Sequence, residues 1–167
     1  MSTRILFAAV LGVAAWGSSR AEAAVDLPGD KRLDRVDFER HVMGLFGRTG
    51  CNAGSCHGSF QGKGGFRLSL FGFDPDKDYV AITRDGMARR INPVDPDNSL
   101  LLLKATGQVE HGGGVRFSKD SWQYRIFREW ISQGTPWSKG SGDVVKVILN
   151  PQAGLLGAAV FANSEVA

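Results

Sequence analysis

Both cysteines of the chain stand beside one of its three histidines, in the stretch Cys51-Asn52-Ala53-Gly54-Ser55-Cys56-His57. Two thiols and an imidazole can form a disulfide, clamp a metal or anchor a prosthetic group. A disulfide needs α-carbons within about 7 Å. Cysteines five residues apart meet that limit only if the loop bulges, which Gly54 makes feasible, but the bond would leave His57 without a role. Zinc needs four ligands, and the supply is Cys51, Cys56, His57 and one of His41 or His111. Adjacent Cys56 and His57 would strain to reach the same small ion. A thioredoxin-like pair has two residues between its cysteines, and here there are four.

Covalent haem attachment uses all three residues. Two thiols add to the two vinyl groups of the ring, and the histidine after the second cysteine faces the iron, so the order Cys, Cys, His follows from the chemistry. The usual spacer has two residues; the small residues Asn52 to Ser55 would let a longer one bulge while both sulfurs still reach the ring. Arg67, Arg89, Arg90 and Arg116 are candidates to pair with the propionates.

The elements that must position these groups can be read around them. Asp34 or Asp37 can cap a first helix carrying Val36, Val42, Leu45 and Phe46, ended by Gly47 or Gly50. The glycine-rich segment 54–72 reads as loop, with one short extended piece at Phe66, Leu68 and Leu70. Asp74-Pro75 and Asp95-Pro96 each start a helix, the second with Leu100 to Leu103 as its body. A fourth runs from Ser118 or Asp120 to Gln133 with Trp122, Ile126, Phe127, Trp130 and Ile131 on one face, followed by Gly134 and Pro136. Residues 24–33 read as a polar lead-in. Beyond Trp137, a Gly/Ser linker precedes Val144 to Leu149, which alternate like a strand with no evident partner. The expected class is mostly α, a small class I cytochrome c-like helical domain with glycine-rich loops.

The N-terminus has basic Arg4, an apolar run from Ile5 to Trp16 and the small-x-small triplet Ala21-Glu22-Ala23. This predicts a secretory leader over residues 1–23. The run is shorter than the about 20 residues that span a membrane. Removing the leader lowers the net charge from +3 to +2, a mild balance without the basic clustering of a nucleic-acid binder. Export to the periplasm or another extracytoplasmic space suits both covalent haem attachment and a disulfide.

Residues from about Phe38 to Trp137 resemble the planctomycete-type cytochrome c domain of exported multidomain proteins. The matching pieces are CNAGSCHG, Gly64-Gly65-Phe66-Arg67-Leu68, Asn92-Pro93-Val94-Asp95-Pro96 with Ser99-Leu100-Leu101, and Arg128-Glu129-Trp130-Ile131-Ser132-Gln133-Gly134 with Pro136-Trp137. The resemblance implies a cytochrome c-like domain over residues 24–137 and, in residues 138–167, a linker and tail that could open a truncated immunoglobulin-like domain. Where related domains carry a Met-Pro-Pro distal segment, this chain has His111-Gly112-Gly113-Gly114, which points to His111 as the distal iron ligand opposite His57. The other candidates are Met87, His41 and Met43.

Two histidine ligands imply low-spin iron closed to small molecules, and outer-sphere electron transfer with a protein partner or neighbouring domain. Histidine in place of methionine lowers the potential. Two other functions stay open: a cofactor-free module stapled by a Cys51–Cys56 disulfide, and a haem sensor or peroxidase-like protein with an open sixth site. His-Gly-Gly-Gly also occurs in esterase oxyanion holes, but no Gly-x-Ser-x-Gly elbow accompanies it. GSFQGKG lacks the length and the Ser or Thr of a phosphate loop.

Overall fold

The computed structural model describes residues 24–146 and the backbone of 147–150 and 157–162. The leader expected over residues 1–23 lies outside the described residues. Helix is the main regular structure, in four short stretches with long turns between them.

The lead-in expected over 24–33 is an antiparallel hairpin. Strands β1 (Val25–Leu27) and β2 (Lys31–Leu33) are joined by a turn in which Gly29 and Asp30 have positive φ. Val25 is buried, with Leu27 and Leu33 against the same core. The Pro28-Gly29-Asp30 sequence is the turn signal, but three-residue strands fall below what an alternation pattern reveals.

The first helix forms where expected, with an unexpected pitch. Asp37 caps it by accepting from Arg40 N. Phe38–Met43 is π-helical, and α1 (Gly44–Arg48) continues it. Helix α2 (Pro75–Thr83) starts at Asp74, whose side chain accepts from Lys77 N. The helix expected at Asp95-Pro96 is broken in two. Pro96–Asn98 is a single 3-10 turn, Ser99 is extended, and α3 (Leu100–Ala105) follows. Helix α4 (Trp122–Ser132) is capped by Ser121 Oγ, which accepts from Tyr124 N.

Helix α4 packs against the first helix, β1, the Pro96–Asn98 turn and α3. Its buried face is Tyr124, Ile126, Phe127, Trp130 and Ile131. Phe127 lies 5.2 Å from Phe46 and Trp130 lies 5.6 Å from Phe38, between ring centroids. Burying such rings is worth about 1.5–3 kcal/mol each, so this contact dominates the core. The chain after α4 is sewn to the start of the first helix, because Phe38 N and Trp130 Nε1 both donate to Pro136 O at 3.1 Å.

The linker expected after Trp137 is bonded to the same helix. Ser138 N and Ser141 Oγ donate to Asp37, while Trp137 Nε1 and Gly142 N donate to Glu39. The strand expected at Val144 to Leu149 does have a partner: β3 (Val144–Asn150) pairs antiparallel with β4 (Gly157–Ala162).

Candidate functional site

The first helix delivers the chain into the Cys51–His57 loop. Cys51 N donates to Phe46 O at 2.9 Å, and His57 N returns to Cys51 O at 3.0 Å, closing the loop on itself. Ala53 O accepts from both Cys56 N and Gly58 N. Asn52 is 1% exposed. Its amide, oriented to donate to Phe46 O at 3.3 Å and accept from Gly72 N at 3.2 Å, ties the loop to the 3-10 turn Leu70–Gly72. A buried amide satisfied on both sides fixes its segment.

Cys51, Cys56 and His57 form one wall of a cavity of about 230 Å³. Helix α3 forms another, through Leu100, Leu101, Lys104 and Ala105. Its Leu102 points into the core instead, so α3 is apolar on two sides. The loop His111–Gly113 forms a third wall. Lys63, Arg89, Arg90, Lys104 and Arg116 supply cations, and no Asp or Glu lines the cavity. The site is therefore apolar with a cationic rim, suited to a mainly apolar ligand bearing carboxylates.

The two histidines face one another across this space. Their ring centroids are 6.2 Å apart and their planes within 10° of parallel. His57 Nδ1 lies 3.0 Å from Phe66 O, and His111 Nδ1 lies 2.8 Å from Gly114 O. A carbonyl only accepts, so each Nδ1 carries a proton, and the neutral form of such a ring has its lone pair on Nε2. Imidazole nitrogen binds a metal at about 2.0–2.1 Å and lies roughly 1.2 Å from its own ring centroid. Two such rings on opposite sides of one ion thus have centroids about 6.4 Å apart, close to the spacing seen.

Burial is the main influence on His57 and holds its imidazole below the ordinary value, with His111 adding to the shift and the Phe66 bond opposing it. The neutral ring is the form a metal needs. Burial pushes the Cys51 thiol up, against a bond to Thr49 Oγ1 at 3.2 Å and the charge of Arg116. The two cysteines are not bonded to each other.

Among the described residues, no three or more His, Cys, Asp or Glu side chains gather as a metal cluster. A bare ion would find too few ligands here. Haem brings ring nitrogens of its own, and two imidazoles with two free thiols on one cavity are the donors it would take from the protein. The residues fit haem on this count.

Of the residues singled out by sequence, Cys51, Cys56, His57 and His111 come together. Arg67 does not: its guanidinium lies over the Phe60 ring, 5.2 Å from the centroid, and it lines a separate hollow with Phe73 and Asp76. Met87 is 93% exposed and does not line the cavity. His41 Nδ1 accepts from Asp37 N at 2.8 Å within the first helix, and Met43 packs on the core. Phe66, Leu101 and Lys104 were missed as site residues. Leu101 and Lys104 share a helix face three residues apart, a signal hidden within four consecutive leucines that also supply the core. Among the described residues, no helix is long and apolar enough to cross a membrane.

No family model, curated protein or solved structure matches this chain.

Proposed function

We propose that the chain is an exported monohaem c-type cytochrome that exchanges single electrons with a protein partner or an adjacent domain, its iron held between His57 and His111. The observation that carries this reading is the histidine pair: parallel rings at metal-spanning distance, each with Nδ1–H committed to a carbonyl. Supporting it are two unbonded cysteines on the same wall and a cationic rim without carboxylates. A first helix running into the attachment loop, packed across an aromatic-rich last helix, is also in keeping with a class I cytochrome c fold.

Haem supplies a one-electron Fe(III)/Fe(II) couple. The chain's own residues do the rest. Cys51 and Cys56 would offer thiols for attachment, His57 and His111 would supply the imidazole nitrogens, and the leucines of α3 would exclude water. Were both histidines bound to the iron, no site would be left on it for a small-molecule substrate, so the reading is an electron carrier rather than an enzyme.

The test is to export the chain in a host with cytochrome c maturation machinery and record a pyridine haemochrome spectrum. The α band of a two-thioether haem, resistant to acid-acetone extraction, is expected. Colourless protein without free thiols would replace this reading with the disulfide-stapled module. His111→Ala should then turn a six-coordinate low-spin spectrum into one that binds carbon monoxide. An unchanged spectrum would remove His111 as a ligand, and strong carbon monoxide binding by the unaltered protein would favour an open-site sensor.

A further inference from the structure

A buried guanidinium stands over the Phe66 ring, which in turn meets the His57 ring, and no carboxylate is hydrogen-bonded to it. Arg90 is 7% exposed. Its Nη1 donates to Ala81 O and Asp85 O, both at 2.8 Å, and its Nη2 donates to Gly65 O at 2.9 Å. The Asp85 carboxylate acts on it through space without a hydrogen bond. The bonds to Ala81 and Asp85 cap the C-terminal end of α2, which is work a lysine could share.

The bond to Gly65 has no part in that cap. It holds the turn whose next residue is Phe66, and the guanidinium also lies over the Phe66 ring, Cζ to centroid 4.5 Å. That ring is 4.5 Å from the His57 ring, and Phe66 O is the acceptor for His57 Nδ1. Arg90 thus grips the turn at one carbonyl and one ring face, and the neighbouring carbonyl grips His57. The turn needs an outside hold. Gly64 and Gly65 both have positive φ and open space where a side chain would stand, and the backbone bonds within the turn are the pair between Lys63 and Phe66. Glycines are the most mobile residues a turn can contain.

We infer that Arg90 is the positioning residue for His57: it fixes the Phe66 carbonyl that holds Nδ1–H, and so fixes the direction in which Nε2 offers its lone pair. This rests on the reading of His57 as a metal ligand and adds the group that aims it. Partners of this kind are worth 10–100-fold in metal affinity in other sites, about the span expected here. The planar fork is what lets one side chain bond three carbonyls and cover a ring; an ammonium cannot do both. The same guanidinium, countered only through space by Asp85, places positive charge two ring contacts from where His57 would hold the iron, which would favour the ferrous state.

The two effects separate by substitution. Arg90→Gln removes charge and fork, whereas Arg90→Lys keeps the charge and loses the fork. The first readout is the exchange rate of His57 Nδ1–H with solvent, by ¹⁵N-edited NMR on the purified protein, reduced and haem-loaded, or haem-free if it takes up none. Both variants are expected to exchange at least tenfold faster than the unaltered protein while keeping its circular dichroism. The second readout is the midpoint potential. Arg90→Gln should shift the oxidised-to-reduced ratio about tenfold toward oxidised, 59 mV for a one-electron couple, and Arg90→Lys less than threefold.

Exchange within twofold of the unaltered protein in either folded variant would overturn the inference. If Arg90→Gln fails to fold, Arg90→Lys decides alone, since it retains the charge beside α2. A chain that takes up no haem overturns the proposed function instead, and the exchange rate still decides what Arg90 does.

Discussion

Gly113 lies against the His111 ring, and adding one methyl group there tests whether the ring's position matters. A Cβ on Gly113 would stand 2.9 Å from His111 Cε1 and 3.2 Å from Nε2. Carbon atoms rest about 3.5–4.0 Å apart, so Gly113→Ala must push the ring back by about 0.6–1.1 Å. The φ of Gly113 is outside the left-handed region, so alanine introduces no backbone strain. The neighbour that yields is the end of a side chain, and the cost to folding should stay below about 1 kcal/mol.

The cost to metal binding should be larger, because ligand sets tolerate about 0.5 Å of error. A displaced distal ligand in a loaded protein should compete less well with carbon monoxide. The apparent affinity of the reduced protein for carbon monoxide is expected to rise about 10–100-fold. Gly112→Ala is the matched control: nothing lies within 4 Å of its Cβ and its φ is also outside the left-handed region, so it should leave the spectrum and carbon monoxide affinity unchanged. Equal carbon monoxide affinities for Gly113→Ala and Gly112→Ala would refute the placement of His111 on the metal.

Three further substitutions probe the frame around the site. Arg116 Nε donates to Thr49 O and its Nη1 to Gly113 O, both at 2.9 Å, joining the end of the first helix to the His111–Gly114 loop. Arg116→Gln should weaken the distal ligand about tenfold by carbon monoxide titration, with haem still resistant to acid-acetone extraction; loss of covalent haem would contradict this. Tyr124 Oη donates to Asp97 Oδ1 at 2.5 Å, the chief cause holding that carboxyl below its ordinary value. Tyr124→Phe should cost about 1–2 kcal/mol in urea at pH 7, since Asp97 is partly solvated. A carboxyl held low when folded adds stability that is present above about pH 4 and lost as pH falls below it, so the variant should lose much of that acid slope. Burial, helped by the Arg40 charge, holds the His41 imidazole below its ordinary value. Its neutral form is favoured on folding, so the contribution is full above about pH 6.5 and declines as pH drops through the folded pKa. His41→Gln should flatten the stability curve between about pH 7 and 5, and an unchanged slope there would exclude His41 as its source.

What could be read in advance was what local chemistry dictates. Asp74-Pro75 specifies a helix start by capping, and the structure has it, whereas the last helix, expected from Ser118 or Asp120, is capped by Ser121 instead. The break at Ser99 was not legible, because Leu100 to Leu103 continue the helical pattern begun at Asp95-Pro96. Ser99 is extended and fully buried, its Oγ accepting from Asn92 N at 2.9 Å, and that bond back to the preceding turn overrides local propensity. The same holds at the site. Cys51, Cys56 and His57 are adjacent in sequence and could be grouped by spacing. The carbonyls of Phe66 and Gly114 that orient the two rings carry no side-chain signature, so nothing in the residue types marks them. Arg67 was grouped with the rim arginines on composition, but an exposed aromatic at Phe60 draws its guanidinium away.

The attachment loop shows how the widened spacing is accommodated and which glycine it depends on. Sequence reasoning assigns the bulge to Gly54, yet Gly54 is exposed, its φ is outside the left-handed region and its Cβ would meet only Leu70 Cδ1 at 3.7 Å. Gly58 is the demanding position. A Cβ there would stand 2.0 Å from Asn52 O and 2.7 Å from Asn52 C, distances no side chain could relieve because both atoms are backbone. Asn52 cannot retreat, for its carbonyl also accepts from Phe71 N at 3.1 Å and its side chain is buried between Phe46 and Gly72. The residue after His57 must therefore pass directly over the residue after Cys51. That crossing brings the start and end of the loop together, so Gly54 and Ser55 are carried outward as an exposed excursion while the two ends stay fixed. The spacing between the cysteines can lengthen at Gly54 and Ser55 without moving the His57 backbone, because the bonds from His57 N to Cys51 O and from Gly58 N to Ala53 O set where it stands.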